Sequence, residues 1–268
     1  MTSPTSARGA LVTGAAQRIG RAIALGLADD GWHAVVHYHR SGEAAAETVA
    51  AIEGGGGQAT AIAADLSDPA AAARLVAAAA EATGGLGCLV NNASMFAADD
   101  IASVSAAGFD AMMAVNLRAP VLLSRAFAEA LPDGAAGVIV NLLDQKLVNP
   151  NPDFLSYTLS KYGLGGLTTT LAMALGPRIR VCGVAPGLTL PSADQTPDQF
   201  AAAHGRTPLG RGATVADIAG AVRYLVSAVA VTGEVVLVDG GQHLAGSARD
   251  VMFRPPGNGP TGDNGDAT

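Results

Sequence analysis

Lysine, cysteine and aromatic residues are scarce in this chain of 268 residues. It has 2 lysines and 2 cysteines, and phenylalanine, tyrosine and tryptophan together make up 4% of it. Basic residues are also outnumbered by acidic ones, 16 to 23, which gives a net charge of −7. Nucleic acids and anionic membranes bind clustered basic side chains. The charge balance therefore argues against both partners and favours a small-molecule ligand.

The two cysteines, Cys88 and Cys182, lie far apart in apolar segments. This placement predicts reduced, buried thiols rather than a disulfide, and no ligand cluster suggests a metal ion. The chain also lacks an uncharged apolar run of about 20 residues, the length that spans a bilayer. Its first residues lack the basic start and apolar core of a secretory signal. We therefore expect a cytoplasmic protein without a metal ion.

Segments rich in β-branched residues alternate with alanine-rich segments of helix length from residue 8 to about residue 240. Such alternation is typical of a parallel sheet covered by helices on both faces. It predicts a single doubly wound α/β domain over residues 8–246. The predicted strands are 9–13, 33–37, 59–63, 87–91, 137–142, 179–184 and 234–238. The predicted helices are 18–29, 42–53, 69–83, 107–131, 156–175 and 214–227.

Three regions lack this alternation. Residues 1–7 and 247–268 show no apolar periodicity, and we expect them to be disordered tails. Residues 186–212 are rich in proline, threonine, aspartate and glutamine. We expect them to form a mobile loop or a short-helix lid over the substrate.

The octapeptide TGAAQRIG, residues 13–20, follows the first predicted strand and opens the first predicted helix. At such a position, the free N–H groups and the positive dipole end of the helix suit a pyrophosphate. Arg18 stands between Gly14 and Gly20, where a further glycine would be usual. Because of its position between strand and helix, the turn predicts a dinucleotide site.

The end of the second predicted strand indicates which dinucleotide binds. An NAD site has an acid here for the ribose hydroxyls, but this chain reads HYHRSGE, with Tyr38 in that place. Arg18, Arg40 and Ser41 offer donors to a 2′-phosphate, which a carboxylate would repel. We therefore predict NADPH. The alternative is that Arg40 and the neighbouring histidines form only a solvated loop.

Tyr157 and Lys161 lie one helical turn apart in the segment SYTLSKY. An ammonium about 5 Å from the phenol, at an effective dielectric near 20, favours the phenolate by about 3 kcal/mol. This predicts a tyrosine pKa lowered from about 10 to about 8. Such a group can exchange a proton with an alcohol or an imine at neutral pH. The alternative is a surface pair without a function.

Over residues 8–245 the chain resembles the short-chain dehydrogenase/reductase family, which has a Rossmann-type sheet of about seven strands. The resemblance rests on the Thr-Gly turn, NNA at 91–93, Asn116, Tyr157 with Lys161, Pro186-Gly187 and VDGG at 238–241. It implies that Tyr157 donates a proton and that Asn116 holds a water of a proton relay. It also implies that Lys161 binds the nicotinamide ribose and lowers the tyrosine pKa. A homo-oligomer, most often a tetramer, is implied as well.

Asp144 stands 13 residues before Tyr157, where the family has a serine. A serine hydroxyl suits polarising a ketone, whereas a carboxyl group can help to supply a proton when a C=N bond is reduced. With Arg18, HYHRS and NNASMF, this aspartate makes the chain similar to the pteridine reductases and bacterial dihydromonapterin reductases. In those enzymes the arginine of the turn, and the serine and phenylalanine after NNA, contact cofactor and pterin. The resemblance implies these contacts for Arg18, Ser94 and Phe96.

The predicted function is therefore NADPH-dependent reduction of a pterin, dihydropterin or dihydrofolate-like C=N bond. The predicted catalytic residues are Asp144, Tyr157, Lys161 and Asn116. The predicted substrate contacts are Arg18, Ser94, Phe96 and Tyr157. The predicted cofactor contacts are Gly14, Arg18, Ile19, Gly20, His39, Arg40, Ser41, Asp65, Leu66, Asn92, Ala93, Tyr157, Lys161, Pro186 and Gly187.

Two other functions stay open from the sequence. One is a carbonyl reductase of the same family, acting on a ketoacyl thioester, a sugar or a small ketone. The other is a sensor that binds NADPH without chemistry, against which the set of Asn116, Tyr157 and Lys161 argues. Phe96 could be a core residue, and Asp144 could cap a loop while Ser94 or Ser156 polarises the substrate. Lys146, two residues past Asp144, is expected to be solvated.

Overall fold

The computed structural model describes residues 7–191, 196–246 and 248–250. Seven parallel strands form one sheet in the order β3-β2-β1-β4-β5-β6-β7. The strands are β1 (Gly9–Val12), β2 (His33–Tyr38), β3 (Gln58–Ala63), β4 (Leu86–Asn91), β5 (Gly137–Leu142), β6 (Ile179–Pro186) and β7 (Val235–Val238). The predicted doubly wound, Rossmann-type domain is confirmed.

Helices cover both faces of the sheet. They are α1 (Arg18–Asp29), α2 (Gly42–Gly54), α3 (Ala71–Thr83), α4 (Ala106–Met113), α5 (Ala119–Ala130), α6 (Leu155–Leu175), α7 (Pro197–His204) and α8 (Val215–Ser227). One apolar cluster joins the sheet to α1 and α8, and a second joins it to α3 and α5. Because both faces are covered, β1, β4 and β5 are buried throughout and have continuous apolar sequences rather than alternating ones.

A π turn divides the predicted helix 107–131 into two α-helices, α4 and α5. The residues Ala114–Arg118 form this turn between α4 and α5, and Asn116 lies in it. π turns are rare and often occur at functional sites. By length and mean hydropathy, 1.2, Ala106–Ala130 is the one described helix that could cross a membrane. In this fold it packs against α3 and α6.

The strand order places a crevice between the ends of β1 and β4. From β1 the chain proceeds to β2 and β3 on one side, and β4 begins the other side of the sheet. Open α/β sheets bind ligands at the carboxyl ends of strands where the order reverses. The turn after β1 and the NNA segment after β4 meet at this point.

The structure differs among the three regions that lack the strand–helix alternation. In the predicted lid 186–212, β6 extends to its first residue and α7 lies in its middle, while residues 192–195 lie outside the described residues. The predicted tail 247–268 begins too early. Arg249 and Asp250 form ion pairs of 2.8 Å with Asp153 and Lys146, and these pairs hold them against the domain. Residues 1–6 and 251–268 lie outside the described residues.

Candidate active site

The hydroxyl of Thr13 joins the ends of β1 and β4. Its Oγ1 accepts hydrogen bonds of 2.9 Å from the N–H groups of both Asn92 and Ala93. The amide Nδ2 of Asn92 donates back to the carbonyls of Thr13 at 2.8 Å and Gly14 at 3.1 Å. These bonds fix the glycine turn and the NNA segment side by side. The two predicted cofactor motifs therefore form one surface.

Two positions of the glycine turn have no room for a side chain. Gly14 has a φ of 63°, and a Cβ there would lie 3.0 Å from Ala93 Cα, while a Cβ on Gly20 would lie 2.2 Å from the Gly14 carbonyl oxygen. The first turn of α1 contains no acidic residue, and Gln17 makes no side-chain cap. The N–H groups and the positive dipole end of α1 are thus available to an anion. These residues fit the pyrophosphate of a dinucleotide.

Arg18 has a left-handed backbone, with φ 57°. For a residue with a Cβ this conformation costs about 1 kcal/mol, which is why glycine is usual there. Its side chain lines the cleft in front of Tyr157, and Nη2 donates to the carbonyl of Pro191 at 3.3 Å. Arg18 therefore connects the glycine turn with the segment after β6.

The predicted 2′-phosphate residues follow β2 on the surface. His39, Arg40 and Ser41 are accessible, and Ser41 is the N-cap residue of α2. His39 Nε2 lies 3.6 Å from Asp65 Oδ2. Hydrogen bonds from Ser67 hold the pKa of Asp65 below its usual value, and the electrostatic interactions with His39 and Arg40 lower it further. The hydrogen-bond donors and the guanidinium of this segment thus lie together after β2, where the sequence predicts them.

The other predicted cofactor contacts divide into two groups. Ile19, Pro186 and Gly187 line the cleft with Arg18 and Asn92. Leu66 is 6% exposed and packs in the apolar core. Its side chain is occupied by core packing, so only its backbone is free for a cofactor contact.

His37 supports the glycine turn and is not among the residues predicted from the sequence. Its Nδ1 accepts from the Gly14 N–H at 3.0 Å, so Nε2 carries the proton and donates to the Ala64 carbonyl at 3.1 Å. Burial lowers the pKa of His37 to about 4, and the nearby His39 contributes. The ring is therefore neutral at pH 7. A histidine inside a buried strand is too common a signal to identify this role.

Asp144, Tyr157 and Lys161 converge at the end of β5. The Tyr157 hydroxyl donates to Asp144 Oδ2 at 2.8 Å, and the other carboxyl oxygen accepts from the Lys146 N–H at 2.8 Å. Lys161 Nζ lies 5.4 Å from the centre of the Tyr157 ring and donates to the Leu142 carbonyl at 2.8 Å. A proton donor, a carboxyl group and an ammonium therefore share one end of the cleft.

The predicted lowering of the Tyr157 pKa is wrong for the arrangement in this structure. Burial raises the Tyr157 pKa well above its usual value, and the charge of Asp144 raises it further. Burial also raises the pKa of Asp144 and lowers that of Lys161 to about 8. The removal of water around all three groups outweighs the attraction between ammonium and phenolate. Tyr157 is therefore a protonated acid at neutral pH.

Asn116 is 1% exposed and holds the loop after NNA in place. Its Oδ1 accepts from the Met95 N–H at 2.7 Å, and its Nδ2 donates to the Met95 carbonyl at 2.9 Å and to Ser160 Oγ at 3.1 Å. The π turn brings the amide between this loop and α6. In this structure Asn116 therefore positions the segment that carries Ser94 and Phe96, and its predicted relay water stays a prediction.

Phe96 forms a wall of the cleft, together with the predicted contacts Arg18 and Ser94. Its ring is 49% exposed, stacks on Phe154 at 4.4 Å and meets Tyr157 edge-on at 4.8 Å. It is therefore not a core residue. Phe154, with a φ of 58°, is, with Arg18, one of two described non-glycine residues in the left-handed region, and it was not predicted. Its ring supports Phe96 from behind.

Lys146 is buried, contrary to the prediction that it is solvated. It is 3% exposed, and its Nζ donates to Asn151 Oδ1 at 2.6 Å and pairs with Asp250 Oδ2 at 2.8 Å. Asp250, in the segment 248–250, lies against this side chain, as do Asn151 and Phe154. Lys146 and Asp250 both line the cleft.

Comparisons with known proteins agree with this geometry. A family model described as enoyl-(acyl carrier protein) reductase matches residues 14–243. The chain is 39% identical to FolM alternative dihydrofolate reductase 1 from Brucella canis, crystallised with NADP, with a TM-score of 0.87 over 92% of this chain and 99% of that one. The corresponding protein of Brucella suis, also in complex with NADP, is 40% identical with a TM-score of 0.86, over 90% and 97%.

A relative with a different name is almost as similar. Ketoacyl reductase 2 of the granaticin polyketide synthase of Streptomyces violaceoruber is 37% identical over 88% of this chain and 96% of its own length. The relatives thus differ in what they are named for, while the match extends over nearly the whole sheet domain. The chain belongs to the short-chain dehydrogenase/reductase family.

Proposed function

We propose that the protein is an NADPH-dependent reductase of a C=N bond in a pterin or dihydropterin. The observation that carries the proposal is the 2.8 Å hydrogen bond from Tyr157 to Asp144, beside the accessible ring of Phe96. A carboxyl group with a raised pKa can take part in protonating a ring nitrogen. The similarity to the two FolM proteins supports the same substrate class.

The chain uses NADP(H), which supplies the hydride when bound. We propose that Gly14, Gly20 and the N-terminus of α1 hold the pyrophosphate, since a side chain at either glycine would collide with the turn. His39, Arg40 and Ser41 would hold the 2′-phosphate through charged and neutral donors. Lys161, fixed by the Leu142 carbonyl, would direct its remaining protons to the nicotinamide ribose.

The protein side chains would orient the ring and supply the proton. Phe96, supported by Phe154, offers a flat apolar face on which a pterin can stack. Arg18 offers donors to phosphate or pterin acceptors. Tyr157 holds its proton at neutral pH and shares it with Asp144, so the pair can release one proton to a nitrogen as the hydride arrives. Ser94 lies on the same wall and would add a hydroxyl contact.

Turnover measurements test this proposal. Purified protein should oxidise NADPH in the presence of dihydrobiopterin, dihydromonapterin or dihydrofolate. Asp144→Ser should lower kcat/KM for the pterin by about 100-fold, the usual size of a general acid contribution. It should also move the alkaline limb of the pH profile to lower pH, because the carboxylate charge that raises the Tyr157 pKa is gone. A lack of NADPH oxidation with all three compounds would contradict the proposal.

Reduction of a carbonyl is the second candidate, because the granaticin relative is named as a ketoacyl reductase. Asp144→Ser separates the two candidates, since it restores the family's serine. A ketone reductase should keep or gain activity in this variant, whereas a pterin reductase should lose most of its rate. The measurement is kcat/KM of both proteins with a pterin and with a panel of small ketones and ketoacyl thioesters.

We also propose that the protein works as a homo-oligomer in the cytoplasm. The family resemblance implies a tetramer most often. Light scattering on the eluting peak of a size-exclusion column would give the mass of the particle.

A further inference from the structure

The first turn of α6 needs hydrogen-bond acceptors from another part of the chain. The leading N–H groups of a helix find no acceptor within the helix itself. Phe154 occupies the N-cap position of α6, and a phenylalanine side chain cannot accept such a bond. The helix then begins Leu-Ser-Tyr, a sequence without an acidic side chain. A distant segment therefore has to cap the helix that carries Tyr157.

Asp99 supplies these acceptors. The Leu155 N–H donates to the Asp99 carbonyl at 3.1 Å, and the Ser156 N–H donates to Asp99 Oδ1 at 3.0 Å. The Ser156 hydroxyl donates to Asp99 Oδ2. A carboxylate at this end of a helix also interacts favourably with the helix dipole. A residue 57 positions before Ser156 thus fixes the start of α6.

Asp99 is also the second anchor of the loop that carries Phe96. The first anchor is Met95, whose N–H and carbonyl both bond to the Asn116 amide. Residues 96–98 lie between the two anchors and are exposed. Phe96 therefore has one fixed point directly before it and another three residues after it. The second of these ties the loop to α6.

The position of Phe96 relative to Tyr157 depends on this tie. The two rings meet edge-on with their centres 4.8 Å apart, and Phe96 stacks on Phe154 at 4.4 Å. Phe154 and Tyr157 flank the two residues that bond to Asp99, so they are fixed by the same contact. Misplacement of a bound substrate by about 1 Å can reduce a rate about 100-fold. A small shift of the loop against α6 would therefore be visible in turnover.

We propose that Asp99 is a positioning residue that keeps the wall formed by Phe96 in register with the Tyr157 hydroxyl. This inference rests on the proposed function, because the wall is the surface on which the pterin would stack. Asp99 is not among the described residues that line the cleft. It would act by holding two segments together and not by touching the substrate.

Steady-state kinetics of Asp99 variants test the inference. Asp99→Ala removes both carboxylate bonds and should lower kcat/KM for a dihydropterin by about 10- to 100-fold. KM for NADPH should stay unchanged, because Thr13 and Asn92 hold the glycine turn separately. Asp99→Asn should restore most of the activity, since its oxygen accepts from the Ser156 N–H and its amide donates to Ser156 Oγ.

Asp100→Ala is the matched control. The Asp100 carboxylate accepts from the N–H groups of Ala102 and Ser103 and from Ser103 Oγ, within its own turn of the same loop. Its removal should leave kcat/KM unchanged. An equal loss of activity in the two alanine variants would mean that any change in this loop has the same effect, and would overturn the inference.

A double-mutant cycle with Phe96→Ala distinguishes positioning from a general loss of stability. In the Phe96→Ala protein, Asp99→Ala should lower kcat/KM by less than about 2-fold, because the ring that Asp99 positions is gone. The same fold-loss with and without the Phe96 ring would overturn the inference.

Hydrogen exchange tests the same contact without a substrate, so it separates the inference from the proposed function. In Asp99→Ala the backbone amides of residues 94–98 and 155–158 should exchange faster than in the wild type, whereas Asp100→Ala should leave residues 155–158 unchanged. If no dihydropterin is reduced, the proposed function fails, and faster exchange in both segments still supports the role of Asp99. Unchanged exchange at residues 155–158 in Asp99→Ala would overturn the inference even if dihydropterins are reduced.

Discussion

At the scale of single residues, Arg18 combines an unfavourable backbone with a useful side chain. Its left-handed φ of 57° would suit glycine, yet the guanidinium reaches the cleft and the Pro191 carbonyl. Strain of this kind persists where the surrounding structure and the function compensate for it. The position therefore offers a direct measurement of what the arginine contributes.

Arg18→Gly should make the protein more stable and less active. Relief of the left-handed conformation should raise the free energy of unfolding by about 1 kcal/mol, while loss of the guanidinium should lower kcat/KM for the pterin. Arg21→Gly is the control, because Arg21 lies inside α1. There the same exchange should cost about 1 kcal/mol. Urea unfolding measures the free energy of unfolding of both variants. An Arg18→Gly protein less stable than the wild type would contradict this account.

The sequence could predict which side chains meet at the end of β5, but not their ionisation. The spacing of Tyr157 and Lys161 and the position of Asp144 sufficed to select them. Their pKa values depend on how completely water is removed, and that depends on the packing of segments distant in sequence. Lys146 shows the same limit, because its partners include Asp250, which is distant in sequence.

At the scale of secondary-structure elements, β2 connects the segments that follow its two neighbouring strands. Its His37 joins the turn after β1 to Ala64 after β3, so one imidazole spans three strand ends. Since burial keeps this ring neutral, protonation must break the bond from the Gly14 N–H. The nucleotide turn should therefore lose support in acid.

Stability should fall as the pH drops below the unfolded-state pKa of His37. The pKa is 6.5 for an unperturbed histidine and about 4 in the fold, so the unfolded chain binds more protons between these values and the native state is disfavoured. At pH 4.5 the His37 contribution to the free energy of unfolding should be about 2 kcal/mol smaller than at pH 7.

The variant His37→Asn keeps an acceptor near Nδ1 and cannot titrate. The difference in free energy between pH 7 and pH 4.5 should be about 2 kcal/mol smaller in this variant than in the wild type. Chemical denaturation at the two pH values provides the measurement. Identical pH dependence in both proteins would show that another group is responsible.

The strands and helices were largely predictable because each carries its own local signal. Every predicted strand lies within one or two residues of an observed one, as for 179–184 against Ile179–Pro186. The π turn at Ala114–Arg118 has no such signal, since its sequence AVNLR is compatible with an ordinary helix. Within it, the amide of Asn116 bonds to Met95 and Ser160, which are distant in sequence. Contacts between distant segments leave no local pattern.

At the scale of the whole molecule, the two ends of the described chain serve different parts of the site. Residues near the start form the nucleotide turn, and Arg249 and Asp250 close the wall beside the substrate cleft. The ion pair between Asp250 and Lys146 has side chains only 12% and 4% exposed. It is therefore screened little by water and is sensitive to the loss of one partner.

Asp250→Asn should destabilise the protein measurably. It removes the negative charge that compensates the buried ammonium of Lys146 and leaves only neutral oxygens facing it, at a cost of about 1–3 kcal/mol. The exposed pair of Arg125 and Glu129 provides the control. Glu129→Gln should change the free energy of unfolding by less than about 0.5 kcal/mol. Equal effects of the two substitutions in urea unfolding would mean that the 248–250 segment contributes nothing to the fold.

The position of Asp250 in the chain also determines when this part of the cleft is synthesised. Strands β1 to β4 and their turns leave the ribosome within the first hundred residues, whereas Gln242 and Asp250 leave it much later. The glycine turn proposed to hold the pyrophosphate is thus synthesised early, and the wall formed by Gln242 and Asp250 is synthesised late. A nascent chain released just after β7 would hold the residues for the cofactor and lack a finished enclosure for the molecule to be reduced.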